Sequence, residues 1–335
     1  MKRALLAAAL LAASVAAGCG EKSEHPGGGA AESVLVELDF YVNPDHAGLF
    51  EGLDRGYFDD AGLDVQTEVP SDPSAPIRQV AAGRADLAIS YEPEVILARD
   101  QGLPVKAVAA VVAQPLTSLI WLRDSGIRDV GDLAGKTIAT AGIPYQSAFL
   151  DQILARADLT SDDVKEVNVG LGLLPALLSD SAQAMLGGFL NVEGVDLEQR
   201  GRDPVVRPVD ELGIPTYDEL VLVANSDRLA DDPEPVRLFI AALERGTKAA
   251  VADPAAATEA ILDAGDGLDP KLTRAEIDAT LPVLLPDQHG KPYGYMDPKA
   301  WERFAGFFAD HGLINSRPTA EQLLTNDYLP GQIPD

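Results

Sequence analysis

Four short runs of this chain concentrate side chains suited to one kind of chemistry. They are Asp39, Tyr41, Asn43 and His46; then Ser90, Tyr91 and Glu92; then Tyr145 at the end of a Gly-Ile-Pro-Tyr stretch; and then Phe189, Asn191 and Glu193. Together they offer rings, amides and carboxylates, and residues 39–46, 90–92, 142–145 and 189–193 contain neither lysine nor arginine. Rings stack on the faces of a flat heterocycle while carboxylates and amides hydrogen-bond its edge, so the set suits a neutral or cationic planar guest. A site for sulfonate, phosphate or nitrate needs guanidinium or ammonium groups or free helix N-termini instead. Thr117 and Tyr217 join the ligand-binding candidates.

Each candidate also has a plainer role. Asp39 and Asn43 are able to hold turns, and Ser90 and Asn191 to cap helices. Glu193 at a helix start favours the helix dipole. The tyrosines, Phe189, Thr117 and Glu92 can pack or face water, and His46 can be satisfied by backbone. Trp121 and Trp301 read as core. The chain has no Gly-x-Ser-x-Gly, no phosphate-binding loop and no His-Glu-x-x-His, and its four histidines lack ligand spacing. Residues 263–269 are acidic but lack calcium-loop spacing. The expectation is a protein with no catalytic residue, no cofactor and no metal, which is not an enzyme.

The four runs fall where strands end. Short apolar segments alternate with helix-like stretches, the pattern of an α/β fold with parallel strands. Strands are predicted at 34–40, 63–69, 86–90, 105–112 and 117–122, with helices at 46–57, 75–82 and 92–100. A second unit starts at 136–140 and continues with strands at 164–169 and 184–189, and with helices at 146–157, 173–178 and 192–199. A last strand at 219–224 precedes a mostly helical remainder. Two lobes follow, 34–117 plus 222–335 and 118–221, joined by crossover strands at 117–122 and 219–224. In such sheets ligands sit beyond the carboxyl ends of the strands, which is where the four runs lie.

The N-terminus carries a different signal. Lys2 and Arg3 precede an apolar, alanine-rich run at 4–17 and then Ala17-Gly18-Cys19, which reads as a secretory signal over 1–18. Cys19, the single cysteine, stands where a bacterial lipobox places its acylated residue, with Ala16 where such motifs carry Leu. With one cysteine no internal disulfide forms. Residues 19–33, with Gly27-Gly28-Gly29 and few apolar side chains, suit a lipidated flexible tether. The expected location is therefore outside the cell membrane or in the periplasm, held to the membrane by the lipid alone. A formal net charge of -27 repels nucleic acid and anionic headgroups, so neither is expected as a partner.

Residues 38–48, together with Arg55-Gly56-Tyr57-Phe58, 61–65, 82–94, 115–118 and 133–138, resemble the thiamine-pyrimidine-synthase-like family of periplasmic binding proteins. The likeness runs over about 34–265. The stretch Asn43 to Gly48 is most similar to the subunit that binds a formylaminopyrimidine or hydroxymethylpyrimidine precursor of thiamine. That resemblance implies a type II binding-protein fold, a ligand cleft between the lobes, an ABC permease as partner and a monomer. In such a cleft Glu193 is expected to pair with the amidine-like edge of an aminopyrimidine, with Tyr41, Tyr91 or Tyr145 stacked on the ring. Related members take riboflavin, taurine or other sulfonates, which stay as alternatives. The family further contains a eukaryotic pyrimidine synthase that consumes its own histidine and a pyridoxal phosphate. Its chemistry needs a Schiff-base lysine and a cysteine-rich iron segment; here His46 matches the donor in position, without that machinery.

Overall fold

Val34 and Val36 point one way from an extended segment and are buried, the alternation expected of a strand with one covered face. A computed structural model describes residues 31–285 and 290–331. In it this segment is β1 (Glu32–Glu37), followed by β2 (Leu63–Glu68), β3 (Leu87–Ser90) and β4 (Val105–Val112). The leader, Cys19 and most of the tether lie outside the described residues. The chain then builds β5 (Thr117–Leu122), β6 (Thr137–Thr140), β7 (Lys165–Asn168), β8 (Ala184–Phe189) and β9 (Pro204–Pro208), and returns through β10 (Leu220–Asn225).

Two five-stranded sheets result, ordered β2-β1-β3-β10-β4 and β7-β6-β8-β5-β9. They share one plan. A central strand, β1 or β6, has parallel neighbours on both sides, and an antiparallel strand follows next to the third. β10 runs antiparallel to β3, with Val221 opposite Ser90. β5 runs antiparallel to β8, with Thr117 opposite Phe189. The two-sheet α/β architecture read from the sequence is thus the observed one.

Three details differ from the sequence reading. The helix expected over 46–57 stops at Asp54, because Gly56 adopts a left-handed φ of 68°, and a short helix Tyr57–Asp60 follows. The strand β9 carries no strong apolar run and was not expected. It forms the edge of the second sheet, where its terminal prolines cost no ladder bond. The late helices do return to the first sheet, but they also reach the second. Phe304 of the helix Pro298–Asp310 stacks on Tyr217 with centroids 5.0 Å apart, and its edge meets Phe149 at 6.4 Å.

Glycines let two helices approach closely. The helix Ala47–Asp54 crosses Glu234–Ala252 where a Cβ on Gly246 would stand 2.0 Å from the Gly48 carbonyl oxygen. Trp121 and Trp301 are fully buried, as expected of core residues. Among the described residues no helix is long and apolar enough to cross a membrane.

Candidate functional site

The carboxyl ends of β1, β3, β6 and β8 converge on one cleft between the sheets. Its walls are Asp39, Phe40, Tyr41 and Asn43 after β1, Tyr91 after β3, Ala141, Ile143, Tyr145 and Gln146 after β6, and Gly187, Phe189, Val192 and Glu193 at and after β8. The cavity they enclose is about 20 Å³, and neither lysine nor arginine is among these lining residues. Tyr91 from the first sheet and Tyr145 from the second meet in its wall, with ring centroids 5.5 Å apart and planes tilted by 55°.

Two hydrogen-bond systems fix the polar wall. Asp39 is buried and accepts from the Tyr91 hydroxyl at 2.8 Å through Oδ2, while Oδ1 lies 2.8 Å from His46 Nε2. The Asn43 backbone N–H donates to His46 Nδ1 at 3.3 Å, so the Nε2 atom carries the hydrogen that faces Asp39. In the second system Glu193 Oε2 accepts from the Phe189 N–H at 2.7 Å, and Oε1 accepts from the Tyr41 hydroxyl at 3.1 Å. Burial raises the Glu193 carboxyl above its usual range, although these donors pull it back. Each of its oxygens retains a further lone pair for a donor in the cleft.

The other candidates stand behind this wall. His46 supports Asp39, as described. Ser90 donates to Glu94 Oε2 at 3.1 Å. Glu92 accepts from the Asp218 N–H at 2.7 Å. Asn191 donates to Asp45 Oδ1 at 2.9 Å and to Thr280 Oγ1 at 2.8 Å. Thr117 and Tyr217 both donate to Glu219, at 2.8 Å and 3.0 Å, and the Leu116 and Thr117 N–H groups reach the same carboxylate at 2.7 Å each. Glu219 therefore ties the segment leaving the first sheet to the segment returning to it. Burial pushes this carboxyl up to about 7.

Sequence reading passed over Gln146 and Gly187. The Gln146 side chain accepts from the Ala141 N–H at 2.8 Å, and Gly187, with φ 111°, gives it room; a Cβ there would lie 2.2 Å from Nε2. The signal was present, since a Gly-Gly pair inside an apolar strand marks close approach of another group. Also missed was a second space of about 220 Å³ that shares Tyr41, Asn43, Val192 and Glu193 with the cleft. Its far wall includes Glu276, which is remote in sequence from every strand end.

A family model described as NMT1/THI5 like matches residues 43–257. The formylaminopyrimidine-binding protein of Halalkalibacterium halodurans is 33% identical over 300 residues, covering 89% of this chain and 91% of that protein. The 4-amino-5-hydroxymethyl-2-methylpyrimidine phosphate synthase of Aspergillus parasiticus is 30% identical over 245 residues, covering 70% of this chain and 71% of that one. Among solved structures, the alkanesulfonate-binding protein SsuA of Xanthomonas axonopodis pv. citri superposes with a TM-score of 0.70 at 16% identity, over 89% of this chain and 100% of that one. That likeness concerns the fold, which is the periplasmic-binding-protein fold. On the match over 43–257 and the identity to these relatives, the chain belongs to the NMT1/THI5-like family.

Proposed function

We propose that this protein is the exported, lipid-anchored binding subunit of an ABC importer and captures an aminopyrimidine precursor of thiamine without converting it. The observation that carries this reading is the cleft wall. Two tyrosine rings, one from each sheet, meet in it, and a buried carboxylate, Glu193, lines the same cleft. A flat ring that enters as the two halves part stacks on one of these tyrosines, and its amino group and ring nitrogen meet Glu193. One such charge-assisted contact contributes about 1.5–3 kcal/mol and one stacked ring about 1–3 kcal/mol. The relative named for formylaminopyrimidine binding, nearly as long as this chain, supports the same guest.

The lobes in this proposal are 34–117 plus 222–335 and 118–221, hinged where Glu219 gathers the two crossings. Ligand contacts from both lobes favour the closed state, which the permease reads. Cys19 is the proposed acylation site, and more than one acyl chain is needed there for stable anchoring. The relative named as a synthase raises an enzymatic reading. The cleft gives it little support, since no lysine stands among the lining residues to form a Schiff base.

Calorimetric titration with 4-amino-5-hydroxymethyl-2-methylpyrimidine, riboflavin and taurine tests the reading. The expected result is one-to-one binding of the pyrimidine at micromolar affinity or tighter, with the other two at least a hundredfold weaker. Tight taurine binding with no pyrimidine binding would refute it.

A further inference from the structure

The second space, about 220 Å³, opens beside the ring cleft and shares with it the wall formed by Tyr41, Asn43, Val192 and Glu193. Its charged lining is lopsided. Glu193, Asp196, Asp269 and Glu276 face Arg200 alone, and that guanidinium is already committed to Asp196, which accepts from its Nη2 at 3.0 Å. Apolar groups, Leu174, Ile261 and Leu268 among them, complete the walls.

Glu276 is the group that points to a ligand. It is only 8% exposed, it lines this space, and no donor among the described residues hydrogen-bonds its carboxylate. Its charged neighbours are Asp196, Glu193 and Asp45, with Arg200 the one opposing charge, and burial together with the three acids pushes its carboxyl up to about 8. A buried carboxyl left without a donor among like charges holds a proton unless something positive sits against it and takes the proton's place. The Asp196–Arg200 pair does not fill that role, because its guanidinium is turned to Asp196.

We infer that the acidic chamber walled by Glu276, Asp196 and Glu193 is an arm subsite, selecting heterocycles whose substituent carries a positive charge. The inference rests on the ring-binding role proposed for the adjoining cleft and extends it to the substituent. A flat ring held beside Glu193 projects its substituent past Tyr41 and Val192 into the chamber. An ammonium or azolium there meets Glu276, while a neutral hydroxymethyl or formylaminomethyl group gains no such partner. Recognition is thus divided: stacking and edge hydrogen bonds select the ring, and Coulomb attraction in a partly desolvated chamber selects the arm.

Three 2-methylpyrimidin-4-amines that differ only at position 5 test this by calorimetry on the full mature protein: aminomethyl, hydroxymethyl and formylaminomethyl. The aminomethyl compound, an ammonium at neutral pH, is expected to bind at least tenfold tighter than the hydroxymethyl compound. Glu276→Gln, which keeps the shape, should cost the ammonium about tenfold and leave the hydroxymethyl compound within about twofold. Raising the salt from 0.05 to 0.5 M should narrow the gap between the two ligands. Equal affinities in the parent protein, or a Glu276→Gln loss shared by both ligands, would overturn the inference while leaving ring binding intact. Failure of all three to bind would overturn the ring reading and this one together.

Discussion

Tyr41 and Glu193 stand 152 positions apart in sequence, yet the Tyr41 hydroxyl donates to Glu193 Oε1 at 3.1 Å. One follows β1 of the first sheet and the other follows β8 of the second, so this single bond spans the cleft. The same carboxylate is fixed from its own side by the Phe189 N–H at 2.7 Å. A guest that pairs with Glu193 therefore acts on both halves of the molecule at once.

Glu193→Ala is expected to weaken aminopyrimidine binding tenfold or more, the loss of one charge-assisted contact. Tyr41→Phe removes only the bond across the cleft, and a loss of about three- to tenfold is expected. Calorimetry on both variants checks this. An unchanged affinity in Glu193→Ala would remove Glu193 from the pose.

Stability should fall as pH rises from 5 to 8. Burial pushes Asp218 up to about 6, Glu219 to about 7, and Glu94 and Glu276 to about 8. In this window the folded protein holds protons that the unfolded chain has released, so the folded form loses ground with increasing pH. Thermal melts should show Tm lower at pH 8 than at pH 5 by about 5 °C or more. Glu94→Gln, whose one side-chain partner is the Ser90 hydroxyl, should flatten the slope. A Tm that rises steadily over this range would contradict the account.

The crossing held by Glu219 should be sensitive to truncation. In Glu219→Ala the Leu116 and Thr117 N–H groups and two hydroxyls lose their acceptor inside the fold. A cost of about 3 kcal/mol or more follows, read as a Tm drop of about 6 °C or more. Retention of the parent Tm would show that the two crossings are held together by other contacts.

Close helix packing gives a fourth test. Gly246→Ala places a methyl 2.0 Å from the Gly48 carbonyl oxygen and 2.9 Å from Gly52 Cα, and backbone cannot step aside. Overpacking of this kind costs about 3 kcal/mol or more. Gly62→Ala is the control, because its Cβ would meet nothing and only the φ of 79° is strained, at about 1–2 kcal/mol. Equal melting temperatures for the two variants would refute the packing argument.

Much of this was legible in the residues. The alternation of apolar strands with helical stretches carried the two-sheet plan, and the strand ends carried Asp39, Tyr41, Asn43, Tyr91, Tyr145, Phe189 and Glu193 to the cleft wall. His46, Ser90, Glu92, Thr117, Asn191 and Tyr217 came from the same reasoning but lie one layer back, bonded to other protein groups. Sequence position locates the end of a strand, whereas the direction of a side chain depends on the partner that claims it. Glu219 shows the limit most clearly. It stands in a predicted strand among apolar neighbours, and its role appears only when Leu116, Thr117 and Tyr217 are brought to it. Glu276 was invisible for a related reason, since helix periodicity says which face is covered and not what covers it.

Capture without conversion is tested most directly by recovering the guest. The mature protein, at a concentration well above its dissociation constant, is dialysed to equilibrium against 4-amino-5-hydroxymethyl-2-methylpyrimidine, the protein chamber is denatured, and its small molecules are weighed by mass spectrometry. One equivalent of pyrimidine in excess of the dialysate, at its original mass, is predicted. A product of different mass, or protein that retains no pyrimidine, would contradict the account.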